Sequence, residues 1–327
     1  MRRYVLKIFF YEAFEEEAHA LKQYSGPGIK AEFTWQTIQE HGETAPPAPI
    51  ISIRTQSILP VSWATKVDGI LTRSTGYDHI KTYIKKCKLD IPCGRLPLYC
   101  SRAVAEQTML LWMCLLRKLK QQTIHFADFN RDGLTGQECE HKTLLVVGVG
   151  NIGYEVVRIG KGLGMKVRGV DIVERHPSVS YVSIEEGLPK ADIIVCAMNL
   201  TSDNTAYFNY QMLKKTKPGT LFLNIARGEQ SPSTDLLRLL DEGHLGGIAL
   251  DVFNNERELA VSLRGGRKSE DREVQATLSL AKRQNVILTP HNAFNTIEAV
   301  DRKAEHSIQQ INHFLKYGKF LWPVPED

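Results

Sequence analysis

Six apolar runs return at a regular beat through the second half of this chain: LLVVGV (144–149), KVRGVD (166–171), DIIVCAM (192–198), TLFLNIA (220–226), GGIALDV (246–252) and NVILTP (285–290). Helix-like segments or turns separate them. A strand covered on both faces loses its polar alternation and reads as a continuous apolar run, so this pattern predicts a parallel sheet with helices on both sides. The first hundred residues carry a looser version, with strand-like VLKIFF (5–10), PIISI (49–53) and GILTRS (69–74) and the turn signals GPG at 26–28 and APPAP at 45–49. With 327 residues, 43% hydrophobic and 24% charged, the chain has enough apolar matter for two cores and too much for a disordered class.

Other classes fall away on charge and patterning. A net charge of +4, spread along the chain, forms no basic stripe, so no nucleic-acid partner is expected. No apolar run reaches the roughly eighteen residues that cross a bilayer, so no membrane role is expected. Lys7 and Glu12 interrupt the apolar start, and a first strand reads better than a signal peptide. The six cysteines form no CxxC pair; reduced thiols in a cytoplasmic protein are expected, without disulfides or a metal. AVAEQTMLLWMCLLRKL (103–119) reads as one buried helix, either core or a homodimer interface. RGGRKSEDRE (264–273) reads as a solvated loop, and Ile297 to Tyr317 as a helix returning to the first domain.

The chemistry begins at GVGNIG (148–153), between the first strong strand and a helix. Gly148 permits a tight turn, Gly150 close approach of backbone to a pyrophosphate, and Gly153 close packing of the helix. Asn151 and Ile152 begin a helix whose free N–H groups face the phosphates. The next strand ends at Asp171, about twenty residues on, where a carboxylate accepts from both ribose hydroxyls and repels a 2′-phosphate. Together they predict NAD; Arg175 and His176 keep NADP open, and a strand-end cap is the structural alternative for Asp171.

Three polar groups follow later strands: Arg227 after LFLNIA, Asp251 with Glu256 after GGIAL, and His291 after VILTP. Each has an ordinary explanation: a surface ion pair, a strand-end turn former, a loop acid, a core histidine. Beyond the carboxyl ends of parallel strands, however, they lie where an open α/β sheet binds ligands, and together they can do chemistry.

RSTGYDHI (73–80), YCSRAVAE (99–106), GVGNIG, NIARG (224–228), ALDVFNNE (249–256) and TPHNAF (289–294) resemble, in order and rough spacing, the NAD-dependent D-isomer-specific 2-hydroxyacid dehydrogenases, on the D-lactate dehydrogenase-like side. The resemblance implies two Rossmann-like or flavodoxin-like α/β domains with parallel sheets and a cofactor cleft between them: residues 1–100 plus 300–327 for substrate, and 101–299 for NAD. It implies that Arg227 grips the carboxylate and carbonyl of a small 2-oxo acid, and that His291 is the acid–base group with Glu256 orienting its ring. It further implies that Thr75, Gly76 and Tyr99 bind substrate, and that Asp251 holds the nicotinamide carboxamide. Asn295 stands where the lactate branch commonly has an aromatic residue. A phosphite dehydrogenase on this scaffold, or an NAD-sensing interaction protein like the C-terminal-binding-protein corepressors, are the alternatives.

Overall fold

The computed structural model describes residues 6–88 and 90–325, so Val5 of the expected first strand lies outside the described residues. The chain divides into two compact units, 1–100 with 295–327, and 101–294. The sequence placed the second boundary at 300; the division falls earlier, ahead of Thr296, which caps the last helix by accepting from Ala299 N.

The first unit opens with β1 (Leu6–Phe10), α1 (Glu15–Tyr24), β2 (Ile29–Phe33), the short α2 (Ile38–His41) and β3 (Ile50–Ile53). It continues with β4 (Gly69–Thr72), α3 (Asp78–Cys87) and the two-residue β5 (Cys93–Gly94). The sheet is parallel, in the order β2-β1-β3-β4-β5, so its direction of winding reverses between β1 and β3. Sequence reading missed β2 and β5. IKAEF carries Lys30 and Glu32 on an edge strand, where charge blunts edge-to-edge pairing and hides the apolar signal. β3 and β4 are buried throughout, and Phe9, Ile51, Ile53, Trp63, Ile70 and Ile80 form the core on one face.

The second unit starts with α4 (Ser101–Leu116) and α5 (Leu119–His125). One helix was expected to run to Leu119; Lys118 instead adopts the left-handed conformation (φ 52°), breaking the ladder after Leu116. Then come β6 (Thr143–Val147), α6 (Asn151–Gly162), β7 (Lys166–Val170), the short α7 (Ile184–Gly187), β8 (Ile193–Cys196), the short α8 (Tyr210–Leu213) and β9 (Thr220–Asn224). The unit closes with α9 (Ser233–Asp241), β10 (Leu245–Leu250), α10 (Glu256–Gly265), α11 (Arg272–Ala281) and β11 (Val286–Leu288). All six expected strands are present in one parallel sheet, ordered β11-β10-β9-β8-β6-β7, with its switch point between β6 and β8.

The expected loop at 264–273 shrinks to a six-residue link. Gly266 ends α10 in the left-handed conformation, and the Asp271 side chain caps α11 by accepting from Val274 N at 3.0 Å. Of the flanking charges, Arg264 and Arg272 are exposed on their helices, whereas Glu273 accepts from Ser233 N and Thr234 Oγ1, both at 2.6 Å. Finally α12 (Ile297–Tyr317) returns to the first unit and packs on α1, burying Val300, Lys303, Ile308 and Ile311. Among the described residues no helix is long and apolar enough to cross a membrane.

Candidate active site

The glycine turn sits directly after β6 at the switch point of the second sheet. Gly148 has φ +93°, and a Cβ there would meet the Ala197 backbone at 2.6 Å. A Cβ on Gly153 would sit 1.9 Å from the Gly148 carbonyl oxygen, so the first turn of α6 packs directly on the loop. Gly150 is different: nothing lies within 4 Å of its missing Cβ. A tight turn, an open backbone face at Gly150, and a twelve-residue helix beginning at Asn151 and Ile152 fit a dinucleotide pyrophosphate. Asp171 follows β7, and its Oδ2 accepts from Val149 N at 2.6 Å while Oδ1 accepts from Val173 N at 3.0 Å. The acid is tied to the glycine loop.

The later strand ends are brought level by register. Leu250 pairs with Asn224 on one side and Leu288 on the other, so the segments bearing Arg227, Asp251 and His291 leave the sheet at one edge. Buried Asn224 shapes the first of them. Its Nδ2 donates to Arg227 O at 2.8 Å and to Ser231 Oγ at 2.7 Å, and its Oδ1 accepts from Ala226 N at 3.0 Å. Next to Arg227, a Cβ on Gly228 would lie 1.8 Å from the Phe253 carbonyl carbon, so the loop after β9 touches the backbone after β10.

His291 lies in a left-handed conformation, φ 50°, with its N–H donating to Thr289 O at 2.9 Å across Pro290. Such a conformation costs a non-glycine residue about 1–2 kcal/mol and persists only where surroundings enforce it. Asp251 supplies that force. Its carboxylate, 1% exposed, accepts from Thr289 Oγ1 and from the backbone N–H groups of Asn292 (2.8 Å) and Ala293 (2.9 Å). Burial raises the Asp251 carboxyl above its usual range, against those hydrogen bonds and the nearby His291. The ring of His291 meets Glu256 across 35 positions of sequence: Nδ1 is 2.9 Å from both carboxylate oxygens. Asn255, also left-handed at φ 53°, delivers Glu256 to the start of α10 and donates to Asp271 Oδ2 at 2.9 Å.

Arg227, Asp251, Glu256 and His291 all lie in the second unit, with the glycine turn and Asp171. Thr75, Gly76 and Tyr99 lie in the first, Thr75 and Gly76 beyond the carboxyl end of β4 and Tyr99 after β5. Thr75 Oγ1 is 3.5 Å from Cys100 Sγ, and Ser74 Oγ donates to Gly76 O at 2.7 Å. Tyr99 is buried; its carbonyl accepts from Arg302 Nε at 3.0 Å, and burial pushes its phenol well above the usual value. Asn224, Thr289 and Asn255 received no role from sequence reading, although each stands beside a residue that did. Among the described residues, no group of three or more His, Cys, Asp or Glu could hold a metal.

Comparison with known proteins gives the family. Residues 109–293, more than half of the chain, match the family model described as D-isomer specific 2-hydroxyacid dehydrogenase, NAD binding domain. The chain belongs to that family, whose members are NAD-dependent oxidoreductases. A D-lactate dehydrogenase of Streptococcus agalactiae is 30% identical over 269 residues, covering 80% of each chain. A D-specific alpha-keto acid dehydrogenase of Enterococcus faecium is 30% identical over 316 residues, 94% of this chain and 96% of that one. Among solved structures, D-lactate dehydrogenase from Aquifex aeolicus, in complex with NAD and lactic acid, superposes with a TM-score of 0.82 at 27% identity, covering 98% of this chain and 100% of the other.

Proposed function

We propose that this enzyme reduces a 2-oxo acid to the D-2-hydroxy acid, reversibly, with Arg227, Glu256 and His291 as its catalytic residues. The observation that carries the assignment is the His291–Glu256 pair, 2.9 Å from Nδ1 to both carboxylate oxygens. A carboxylate only accepts, so Nδ1 carries a proton and Nε2 is the nitrogen left to exchange one. Bound NADH supplies the hydride that adds to C2 of the substrate. His291 Nε2–H delivers the proton to the carbonyl oxygen, and Glu256 stabilises the imidazolium before transfer and fixes the plane of the ring. In the reverse direction the same nitrogen removes the hydroxyl proton. The Arg227 guanidinium holds the carboxylate and polarises the carbonyl, a planar charge-assisted contact that an ammonium cannot reproduce.

The glycine turn, Asn151, Ile152 and Asp171 hold the dinucleotide, and the carboxylate of Asp171 favours NAD over its 2′-phosphorylated form. Thr75, Gly76 and Tyr99 bind substrate from the first unit. Asp251 acts first as the clamp on the His291 turn; contact with the nicotinamide carboxamide is a second role that the family resemblance implies. The enzyme works in this scheme as a cytoplasmic homodimer on a small-molecule substrate.

The decisive experiment is His291→Asn, assayed by NADH oxidation against pyruvate and larger 2-oxo acids, with phosphite plus NAD as a control. Loss of the acid lowers kcat by about 10²–10⁴-fold while NADH still quenches tryptophan fluorescence with unchanged affinity. Turnover close to that of the parent enzyme would overturn the assignment.

A further inference from the structure

The turn after β7 leads from Asp171 out into solvent and back. Ile172 is fully exposed, and Val173, Glu174 and Arg175 are exposed as well, so the tip has no core of its own. Its base is secured. Gly169 N donates to Ser180 O at 3.0 Å, Val182 N donates to Gly169 O at 2.9 Å, and a Cβ on Gly169 would meet the Val179 side chain at 2.7 Å. Within the turn, the Asp171 carboxylate is tied to the backbone that follows it. Val173 N donates to Asp171 Oδ1 at 3.0 Å, Arg175 N donates to Val173 O at 2.9 Å, and His176 comes next. The direction in which Asp171 Oδ1 faces therefore depends on where residues 173–176 are held.

An aromatic pair holds them. The rings of His176 and Tyr154 lie 3.8 Å apart at their centroids, with planes 9° from parallel, so the two faces overlap. Tyr154 directly follows Gly153 in the first turn of α6, and the pair joins the acidic turn to the helix of the glycine site. The Tyr154 hydroxyl is 3.3 Å from Ser178 Oγ, and Lys161, further along α6, donates to Ser178 O. His176 N donates to Tyr181 OH at 3.3 Å. Asp171 is thus fastened to the glycine site twice: directly through Val149 N, and from outside through His176 on Tyr154. Read from the sequence, His176 kept NADP open; in the structure its ring is laid against Tyr154. A group already held in place spares an arriving ligand the cost of ordering it.

We propose that the Tyr154–His176 pair positions Asp171 for the ribose hydroxyls and so sets the preference for NADH over NADPH. Both side chains are positioning residues that act through the carboxylate rather than on the cofactor. The inference rests on the reading of Asp171 as the ribose-binding acid. It makes discrimination between the two cofactors a property of the clamped turn as well as of one acid.

The test measures Kd for NADH and for NADPH by quenching of tryptophan fluorescence, in the parent enzyme and in Tyr154→Ala, His176→Ala and Tyr154→Phe. One aromatic contact is worth about 2–10-fold in an equilibrium constant. In both alanine variants the ratio Kd(NADPH)/Kd(NADH) is expected to fall by that factor. NADH loses a held acceptor, whereas NADPH, which Asp171 repels, loses nothing. Tyr154→Phe keeps the ring, gives up only the hydroxyl, and is expected to keep the ratio. His176→Ala changes a surface turn and answers the question even where Tyr154→Ala fails to fold. Asp171→Ala is expected to lower the ratio further, and adding Tyr154→Ala to it is expected to change nothing more. Two results would overturn the inference and leave Asp171 its role. One is a ratio that holds in both alanine variants, even with both cofactors bound more weakly, while Asp171→Ala lowers it. The other is a further fall when Tyr154→Ala is added to Asp171→Ala, which would put the pair on the cofactor itself. An unchanged ratio in Asp171→Ala would remove the ribose reading, and this inference with it.

Discussion

Asp251 shows how much one side chain can decide. Its carboxylate gathers Thr289, Asn292 and Ala293 around a histidine whose backbone sits at φ 50°. In Asp251→Asn one oxygen becomes an amide that faces a backbone N–H, and a buried donor is left without an acceptor. The loss is about 1–3 kcal/mol, visible as a lower Tm, and the His291 turn loosens. The expected signature is a kcat that falls further than NADH affinity does. If instead NADH affinity falls and kcat at saturating cofactor holds, the carboxylate serves the nicotinamide rather than the turn. The sequence offered Asp251 as a site residue because it ends an apolar strand. It did not show that the acid folds back on the segment 289–293, because a hydrogen bond spanning about forty positions leaves no local pattern.

At the scale of elements, the loops after β9 and β10 meet at Gly228, where any Cβ would fall within 2.2 Å of three backbone atoms of Phe253 and Asn254. Backbone cannot step aside as a flexible side chain can. Gly228→Ala is therefore expected to destabilise the protein by about 1–3 kcal/mol or more and to displace Arg227. Gly162→Ala is the control. It lies in the last turn of α6 with nothing within 4 Å, and alanine there is worth up to about 1 kcal/mol of added stability. Equal Tm values for the two variants would sink the close-contact argument. The strands of the second sheet were legible because burial on both faces writes them as unbroken apolar runs, and α12 was legible from its helical spacing to both ends. β2 was not, since an edge strand with charged residues resembles a loop. Nor was the break at Lys118, where apolar residues continue on both sides of a left-handed residue.

For the whole molecule, a run of large apolar side chains in and around α4 and α5 is exposed: Leu110, Leu119, Ile124, Phe126 and Phe129, the two phenylalanines at 76% and 73%. Soluble monomers seldom leave such a patch open, and the proposed homodimer gives it a partner. Sedimentation is expected to give twice 36.9 kDa, and Phe126→Asp to shift the protein towards one copy. A parent protein that sediments as a single copy at micromolar concentration would rule the dimer out. The sequence by itself determined the parallel α/β unit of the second half and the glycine turn with its acidic partner, because strand burial, helix spacing and glycine placement are written in neighbouring residues, while the two-unit architecture and the candidate site were implied by the resemblance of its motifs. Only the tertiary structure decided the 2.9 Å geometry by which Glu256 meets His291 across 35 positions, that Asp251 holds the turn bearing His291, and that Arg73 and Lys303 converge on Glu17. Those are contacts between segments far apart in the chain, made only when sheet register brings the strand ends level and a returning helix closes the first unit.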